Sequence, residues 1–296
     1  MPSHFNDTIG ASQLLLNKRG AVYHLDLKAD QIADTIITVG DPNRVKKVAQ
    51  YFDKIEHRSS NREFITNTGY IGKKRLTILS TGIGPDNIDI VLNELDALAN
   101  IDLKTRTINT ELKKLNIIRL GTCGSLQSDI PVDSFIVSNY AIGMDNLLHY
   151  YNYDNNTDEQ FILNEFIQHN NLSGKYITPY IAQAPVRLLS HFTKGYIHGI
   201  TATCPGFYGP QGRKLRGNIS LPYLLDALKS FNSRGQKILN YEMETSAIYG
   251  LSKILGHNCV SISTVVANRA DETTSQDADA AIEKMIQQSL SIIEKI

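Results

Sequence analysis

The sequence predicts a single α/β domain with a central, twisted, mixed β-sheet flanked by helices. Short β-rich runs alternate with amphipathic stretches along the chain. Several of these runs are apolar at both odd and even positions, as in strands that helices cover on both faces. No internal repeat or low-complexity linker divides the 296 residues. These three observations favour one domain over two.

The predicted elements follow in chain order. Strands are expected at 35–40, 75–81, 117–124, 134–143, 196–204 and 259–268. Helices are expected at 43–52 and 87–99, and a helix followed by a loop within 220–235. The apolar residues of 246–256 follow the helical period, and Gly256 is a typical C-terminal stop. The polar segment 100–116 is expected to be an excursion from the fold.

Composition excludes several classes of protein. The chain carries 30 basic and 30 acidic residues and no basic block, which argues against a nucleic-acid surface. Its N-terminal apolar run, 14–16, is too short for a signal peptide or a membrane span. Cys123, Cys204 and Cys259 are widely spaced and form no CxxC motif. They are interpreted as reduced thiols of a cytoplasmic protein, without a zinc or disulfide framework.

Glycine-rich turns that follow three predicted strands suggest an anion site. The segments are VGDPNR, with Gly40 and Arg44, STGIGPDN, and RLGTCGS, with Arg119 and Thr122. Free backbone amides and guanidinium groups bind phosphate well. Neither nucleotide-binding motif fits, because GxGxxG would need glycine at Asn87 and GxxxxGK[ST] is absent. Arg44 by itself is equally consistent with a solvated helix residue.

The segment NYEMET places Glu242 and Glu244 at or just before the N-terminus of the predicted helix 246–256. Both are consistent with first-turn acids that the helix dipole favours. The dipole would also keep Glu244 ionised, and an ionised carboxylate is suited to binding the two hydroxyls of a vicinal diol. The residues alone leave both interpretations open.

A third set of candidate residues lies in the loop 202–216, which is rich in glycine and proline. Gln211 offers a donor and an acceptor to a base edge, Arg213 donates to a carbonyl, and Phe207 offers a flat apolar wall. A surface turn with incidental polar residues is the simpler interpretation.

These motifs together resemble one family. The segments AVYHLDL, VGDPNRV, SNREFIT, STGIGP, IRLGTCG, FYGPQGR and NYEMET occur in its order, from about Tyr23 to the C-terminus. The chain resembles the uridine phosphorylases of the nucleoside phosphorylase-I superfamily. The resemblance implies an αβα domain over 21–296 with an N-terminal extension over 1–20. It also implies a homodimer or a hexamer built as a trimer of dimers.

The resemblance assigns residue roles. Phosphate binding falls to Gly40, Arg44, Arg119 and Thr122, with Arg62 reaching in from a neighbouring subunit. Ribose binding falls to Glu242, Met243 and Glu244, with His24 contacting the 5′-hydroxyl across the interface. Base binding falls to Phe207, Gln211 and Arg213. Arg119, Arg213 and Glu244 are the residues expected to carry catalysis.

The implied reaction converts uridine and phosphate into uracil and ribose 1-phosphate, without metal or organic cofactor. Some relatives bind K⁺ or Na⁺ between subunits through the acid that matches Glu63. Purine-cleaving relatives place an acid at the position of Ala267, so its absence favours a pyrimidine. The base loop reads Tyr-Gly-Pro-Gln in place of Tyr-Pro-Gly-Gln, and Cys123 replaces a small or hydroxyl residue. A purine or mixed phosphorylase, a nucleosidase and a non-catalytic nucleoside-binding protein stay as alternatives.

Overall fold

Seven α-helices and fourteen strands make up residues 8–296, the part of the chain that this structure, a computed structural model, describes. The strands are β1 Thr35–Val39, β2 Lys54–Asn61, β3 Phe64–Ile71, β4 Lys74–Ser80, β5 Ile101–Asp102, β6 Thr107–Ile108, β7 Asn116–Ser125, β8 Phe135–Gly143, β9 Tyr180–Gln183, β10 Ile197–Thr203, β11 Asn232–Ser233, β12 Gln236–Glu242, β13 Asn258–Asn268 and β14 Thr273–Thr274. The helices are α1 Pro42–Ala49, α2 Pro85–Asn100, α3 Thr157–His169, α4 Val186–Leu189, α5 Leu224–Ser230, α6 Thr245–Leu255 and α7 Ala278–Ile293.

Twelve strands join in one mixed sheet, which confirms the predicted fold class. Its hydrogen-bonded order is β11-β12-β10-β8-β13-β7-β1-β4-β3-β2, with β9 paired to β8 and β14 paired to β13. The neighbours β13, β7, β1 and β4 run parallel, and β3 and β2 continue the sheet antiparallel. The carboxyl ends of the four parallel strands therefore meet at one edge of the sheet.

Part of the sheet closes on itself, a feature that the sequence did not predict. Strand β12 also pairs antiparallel with β7, Asn240 with Ser125 and Tyr241 with Gly124. The pairings of β7, β13, β8, β10 and β12 therefore form a ring. A Cβ atom on Gly124 would lie 2.9 Å from the Tyr241 ring, so glycine permits this close approach. The closure brings residues 119–124 beside NYEMET.

Helices cover both faces of the sheet, which explains why the strands are apolar at both parities. Ile36 and Ile117 pack in one cluster with side chains of α2 and α6. Their neighbours Ile37 and Ile118 pack in a second cluster, with side chains of α1, α4 and α7. Successive strand residues point to opposite faces, so a strand between two helical layers must be apolar throughout.

Some element predictions were wrong or incomplete. The strand predicted at 117–124 is confirmed as β7, but the turn expected in RLGTCGS is absent from it: these residues lie within the strand, because β13 and β12 both pair with its end. Glu242 ends strand β12, which was not predicted as a strand. The ribbon β2–β3 and helices α3 and α7 were also missed. Helix α1 begins at Pro42, because the Asp41 side chain caps the N–H of Asn43 at 2.9 Å.

The excursion 100–116 forms the small hairpin β5–β6, outside the main sheet. The N-terminal segment packs against it. Arg106 Nη1 donates to the carbonyl of Leu14 at 2.8 Å, and the N–H of Ile9 donates to the carbonyl of Arg106 at 2.8 Å. Residues 1–7 of the expected extension lie outside the described residues. Within residues 8–296, no helix is both long and apolar enough to cross a membrane.

Candidate active site

A cavity of about 850 Å³ opens at the carboxyl ends of β1, β4, β7 and β13. It brings together the residues that the sequence assigned to the chain's own site: Gly40, Arg44, Arg119, Thr122, Phe207, Gln211, Arg213, Glu242, Met243 and Glu244. Glu63, the predicted cation ligand, also lines it. The cavity wall therefore carries three arginines: Arg44, Arg119 and, from the base loop, Arg213. The individual roles of these residues stay predictions.

A buried ion-pair cluster lies in the wall of the cavity. The Arg119 guanidinium contacts two carboxylates through Nη2, Glu244 Oε2 at 2.5 Å and Glu242 Oε2 at 3.0 Å. Its Nη1 donates to Ser263 Oγ at 3.1 Å. All three charged side chains are at least 93% buried, with exposed fractions of 6%, 7% and 2% for Arg119, Glu244 and Glu242. The acids of NYEMET thus bind one arginine of β7.

Gly121 allows Arg119 to take this position. Arg119 and Gly121 lie two residues apart on β7, so they share a face of the strand. The guanidinium folds back over the glycine: a Cβ atom on Gly121 would lie 1.8 Å from Arg119 Nη1 and 2.4 Å from Cζ. The first glycine of this motif, Gly121, is therefore needed to leave room for the guanidinium of Arg119, and not to form a turn.

The two acids differ in how many acceptors they leave free. Glu242 Oε1 accepts from Thr203 Oγ1 at 2.7 Å and Oε2 accepts from the N–H of Glu244 and Thr245 at 2.8 and 2.9 Å, besides its contact with Arg119. Glu244 accepts one bond on each oxygen, from the N–H of Gly84 at 2.8 Å and from Arg119. Each carboxylate oxygen has two lone pairs, so Glu244 keeps acceptor capacity that Glu242 has used.

Burial has the largest effect on the pKa of Glu244. Residue 244 caps α6 as predicted, but burial raises the pKa of its carboxyl group, against the opposing charge of Arg119. For Arg119, burial alone would lower the pKa, but the charges of Glu242 and Glu244 raise it above its ordinary value. Arg119 therefore stays positively charged.

Arg44 lies beside this cluster without a carboxylate of its own. It is half-buried, and its Nη1 donates to the carbonyl of Leu120 at 3.2 Å. Burial lowers the pKa of Arg44, and the charge of Arg119 lowers it further. No acid among residues 8–296 lies within salt-bridge distance of it. Two neighbouring guanidinium groups, one of them unpaired, attract an anion.

The base loop closes on itself through Arg213. Its Nη1 donates to the carbonyl of Phe207 at 2.7 Å and to Oε1 of Gln211, and its guanidinium stacks 3.9 Å from the centre of the Phe207 ring. Gly212 adopts a left-handed φ of 70°, which returns the chain so that Arg213 faces Gln211. The altered Tyr-Gly-Pro-Gln order therefore still brings the amide and the guanidinium together.

Tyr241 and Arg269 were missed by the sequence interpretation. Tyr241 lines the cavity, and its ring lies 5.4 Å from the Arg213 guanidinium. Arg269 Nη1 donates to the Tyr241 hydroxyl at 2.7 Å. Both belong to segments singled out for other residues, Tyr241 to NYEMET and Arg269 to the strand end at Ala267. Only the closure of β12 onto β7 places Tyr241 in this wall, so no local pattern could reveal it.

His24 and Arg62 do not line the cavity of their own chain. They lie on one surface instead: the Arg62 guanidinium is 6.0 Å from the centre of the Tyr23 ring, and that ring packs edge-on against His24. Arg62 is exposed and has a left-handed φ of 53° at the tip of the β2–β3 hairpin. The next residue, Glu63, faces the chain's own cavity. This surface therefore lies next to the cavity but outside it.

The comparisons with known proteins agree with this geometry. A family model described as the phosphorylase superfamily matches residues 34–296. The chain belongs to the phosphorylase superfamily. A nucleoside phosphorylase from Trypanosoma brucei, whose structure is described as showing uridine phosphorylase activity, is 32% identical, with a TM-score of 0.88 over 96% of this chain and 100% of that chain.

Other relatives of this phosphorylase divide between two substrate classes. A structure from a study of two uridine phosphorylases of Phytophthora capsici has a TM-score of 0.69 at 21% identity, over 98% and 99% of the two chains, and shows the fold. Purine nucleoside phosphorylase DeoD-type from Bacillus thuringiensis (strain Al Hakam) is 27% identical over 270 residues, 90% of this chain and 96% of that protein. The enzyme class is a nucleoside phosphorylase, and membership alone does not select the base.

A first prediction concerns Gly121. In Gly121→Ala the new methyl group overlaps the guanidinium of Arg119, which must leave its position between the carboxylates. Displacement of a key group by about 1 Å costs on the order of 100-fold in rate. We expect the phosphorolysis kcat/KM to fall by about that factor. Gly217→Ala, at a site with no atom within 4 Å, is the control and should match the wild type. A Gly121→Ala enzyme of unchanged kcat/KM would contradict the role of the glycine.

Proposed function

We propose that the protein cleaves uridine with phosphate to give uracil and ribose 1-phosphate. The observation that carries this proposal is that one cavity holds two neighbouring arginines, Arg44 and Arg119, together with the Gln211–Arg213 pair on the face of Phe207. An anion site and a base-edge reader in the same cavity suit a nucleoside and phosphate. The activity ascribed to the Trypanosoma brucei relative supports the choice of uridine.

In this proposal Arg44 and Arg119 hold phosphate against the sugar. A phosphate oxygen attacks C1′ while the bond from C1′ to the uracil nitrogen breaks, so positive charge builds on the sugar. The phosphate is the nucleophile and also the countercharge, and the arginines set its position before the reaction begins. Backbone N–H groups near Gly40 and the hydroxyl of Thr122 line the same end of the cavity and add donors.

Glu244 is assigned to the ribose hydroxyls, with the backbone of Met243 beside it. The assignment is supported by the free acceptor capacity of Glu244, which faces the cavity next to Arg119. The carboxylate of Glu242 has its acceptors filled by protein donors, so in our proposal it positions Arg119 and the start of α6. This assignment differs from the contact to ribose that the family resemblance implies for Glu242.

Uracil lies in this proposal between Phe207 and Tyr241, with its edge on Gln211 and Arg213. Arg213 and Gln211 hydrogen-bond to each other, so a base with carbonyl acceptors and a ring N–H can take over both partners. Negative charge develops on the leaving uracil. Arg213 would bind that charge more strongly in the transition state than in the substrate, which is the condition for catalysis.

A purine nucleoside is the second candidate substrate. The observation that favours it is the similarity to purine nucleoside phosphorylases of the DeoD type. The cavity residue Ala267 opposes it, because a methyl group cannot donate a proton to a leaving purine. A nucleosidase is disfavoured for another reason: water needs no pair of arginines. Rates on uridine and inosine separate the two bases, and phosphate dependence separates a nucleosidase from both.

Phosphate dependence is the most direct test of the reaction. Uracil release from uridine, followed by absorbance, should require phosphate, because phosphate is the nucleophile. Loss of one key transition-state interaction lowers a rate by about 100-fold. Without phosphate, which supplies the nucleophile as well, the rate should therefore fall below about 1% of its value with phosphate. Sulfate at equal ionic strength serves as the control. Equal rates with and without phosphate would replace the phosphorylase assignment with a nucleosidase.

Base selection is tested at Arg213. Arg213→Ala should lower kcat/KM for uridine by about 100-fold, because the leaving base loses its charge-stabilising donor. Arg216→Ala, an exposed arginine of the same loop, is the matched control and should match the wild type. The wild type should reject cytidine, whose amino group would face Arg213. The assignment fails if Arg213→Ala keeps full activity or if inosine is the better substrate.

We further propose that each site is completed by the partner subunit's His24 and the partner subunit's Arg62 in a two-fold dimer. This is supported by their absence from their own cavity and by their shared surface beside it. A two-fold axis makes the exchange mutual. A mass measurement in solution distinguishes a dimer from a hexamer built of three dimers.

Mixing two inactive variants tests the shared site. Arg62→Ala should damage the neighbour's site and Arg119→Ala its own, so a mixed dimer has one intact site and one with both defects. After subunit exchange, roughly a quarter of all sites should be active. Mixing Arg213→Ala with Arg119→Ala is the control, because both defects act in their own chain and no site is restored. Failure of the first mixture to regain activity after verified exchange would refute the shared site.

A further inference from the structure

Glu94 is a carboxylate that the proposed reaction does not use. It belongs to α2, where it is only 9% exposed. Buried acids are rare unless their oxygens are bonded, and here all the donors come from one short segment. Oε1 contacts His24 Nδ1 at 2.7 Å and accepts the N–H of His24 at 3.0 Å, and Oε2 accepts the N–H of Leu25 at 2.8 Å. Glu94 therefore binds both the backbone and the imidazole of His24.

The contact decides which nitrogen of His24 is available. A carboxylate only accepts, so His24 Nδ1 must carry the proton that it shares with Glu94. In the neutral imidazole, Nε2 is then an acceptor, and it has no hydrogen-bond partner among residues 8–296. The side chain of His24 stays 24% exposed. The unprotonated Nε2 is thus available to accept a hydrogen bond from a group outside residues 8–296 of its own chain.

Three other contacts hold His24 and its ring in place. Asn61 Nδ2 donates to the carbonyl of His24 at 2.8 Å, which ties the segment to the end of β2. Tyr23 and Phe64 pack edge-on to the imidazole, with ring centres 5.0 and 6.5 Å away. Leu25 is fully buried and anchors the chain that follows. A histidine held on three sides, with one nitrogen free, is arranged to meet a ligand in a defined direction.

We propose that Glu94 is the positioning residue for recognition of the nucleoside 5′-hydroxyl. It holds His24 as the tautomer whose Nε2 accepts the hydroxyl proton of a nucleoside bound in the partner subunit's cavity. The inference rests on the proposed function, because it uses the contact assigned there to His24. It adds that a residue on α2, 70 residues from His24 in the sequence, sets the preference for substrates that carry the 5′-hydroxyl.

The test compares a nucleoside with its 5′-deoxy analogue. The measured quantity is the ratio of their kcat/KM values for wild type, Glu94→Gln, His24→Ala and the double variant. One hydrogen bond contributes about 1.4 kcal/mol, so the wild-type ratio should be roughly 10. We expect Glu94→Gln and His24→Ala each to bring the ratio close to about 1, with the double variant no lower. The rate of Glu94→Gln on the 5′-deoxy analogue should change little.

Asp96→Asn is the matched control. Asp96 lies on the same helix and contacts a different buried histidine, His257, at 3.2 Å between Oδ1 and Nε2. It should lower the melting temperature without changing the 5′-hydroxyl ratio. If Glu94 only held the fold together, Glu94→Gln would behave like Asp96→Asn. Its melting temperature would fall, and any loss of kcat/KM would be the same for both substrates, so the ratio would stay at the wild-type value. That result overturns the inference.

The outcomes also separate this inference from the proposed function. Inosine and 5′-deoxyinosine replace the uridine pair if the wild type prefers purines, so an error in the base leaves the test intact. A normal ratio in His24→Ala, with phosphate-dependent cleavage unchanged, overturns the role of Glu94 but not the reaction. A ratio lost in His24→Ala and kept in Glu94→Gln overturns the positioning alone. If the wild type cleaves no nucleoside, both proposals are contradicted.

Discussion

The site depends on one buried contact, the guanidinium of Arg119 between the carboxylates of Glu242 and Glu244. Such a cluster is a weak source of stability, because removing three charges from water costs about as much as their attraction returns. Its position follows from the closure of β12 onto β7, which brings the two ends of the cluster together. Glu242 then accepts hydrogen bonds from the backbone at the start of α6. Glu244 faces the cavity, and its carboxylate keeps free lone pairs. This buried cluster therefore connects the closure of the sheet, the start of α6 and the wall of the cavity.

The arrangement of charge divides the cavity into regions of different chemistry. Arg44 lacks a carboxylate within salt-bridge distance in the described part of the chain, so the end beside Arg119 attracts an anion. The opposite arginine, Arg213, is stacked on Phe207 and bonded to Gln211. Glu244 contacts Arg119 and adds a carboxylate to the wall of the same cavity. A ligand that carries an anion, a diol and a polar flat ring offers a partner to each of these groups.

Much of this was predictable from the sequence, and the rest was not for physical reasons. Strands apolar at both parities, such as the one holding Ile36 and Ile37, predicted a sheet between helical layers. Glycine-rich strand ends and the motif resemblance predicted the residues that line the cavity. Local patterns could not show that the end of β7, at Gly124 and Ser125, pairs with β12, because that pairing is long-range. The burial of Glu244, which raises the pKa of its carboxyl group, was not predictable from the sequence, because burial depends on the whole fold.

Direct binding of inorganic phosphate tests the central claim that Arg44 and Arg119 form the anion site of this cavity. Calorimetric titration should show one saturable site per chain for the wild type. Arg44→Met should weaken that binding by about 100-fold, the scale of a lost charge-assisted contact. Arg213→Met, which removes an equal charge from the base loop, should stay within about twofold of the wild type. Equal weakening by both variants, or no phosphate binding by the wild type, would contradict the account.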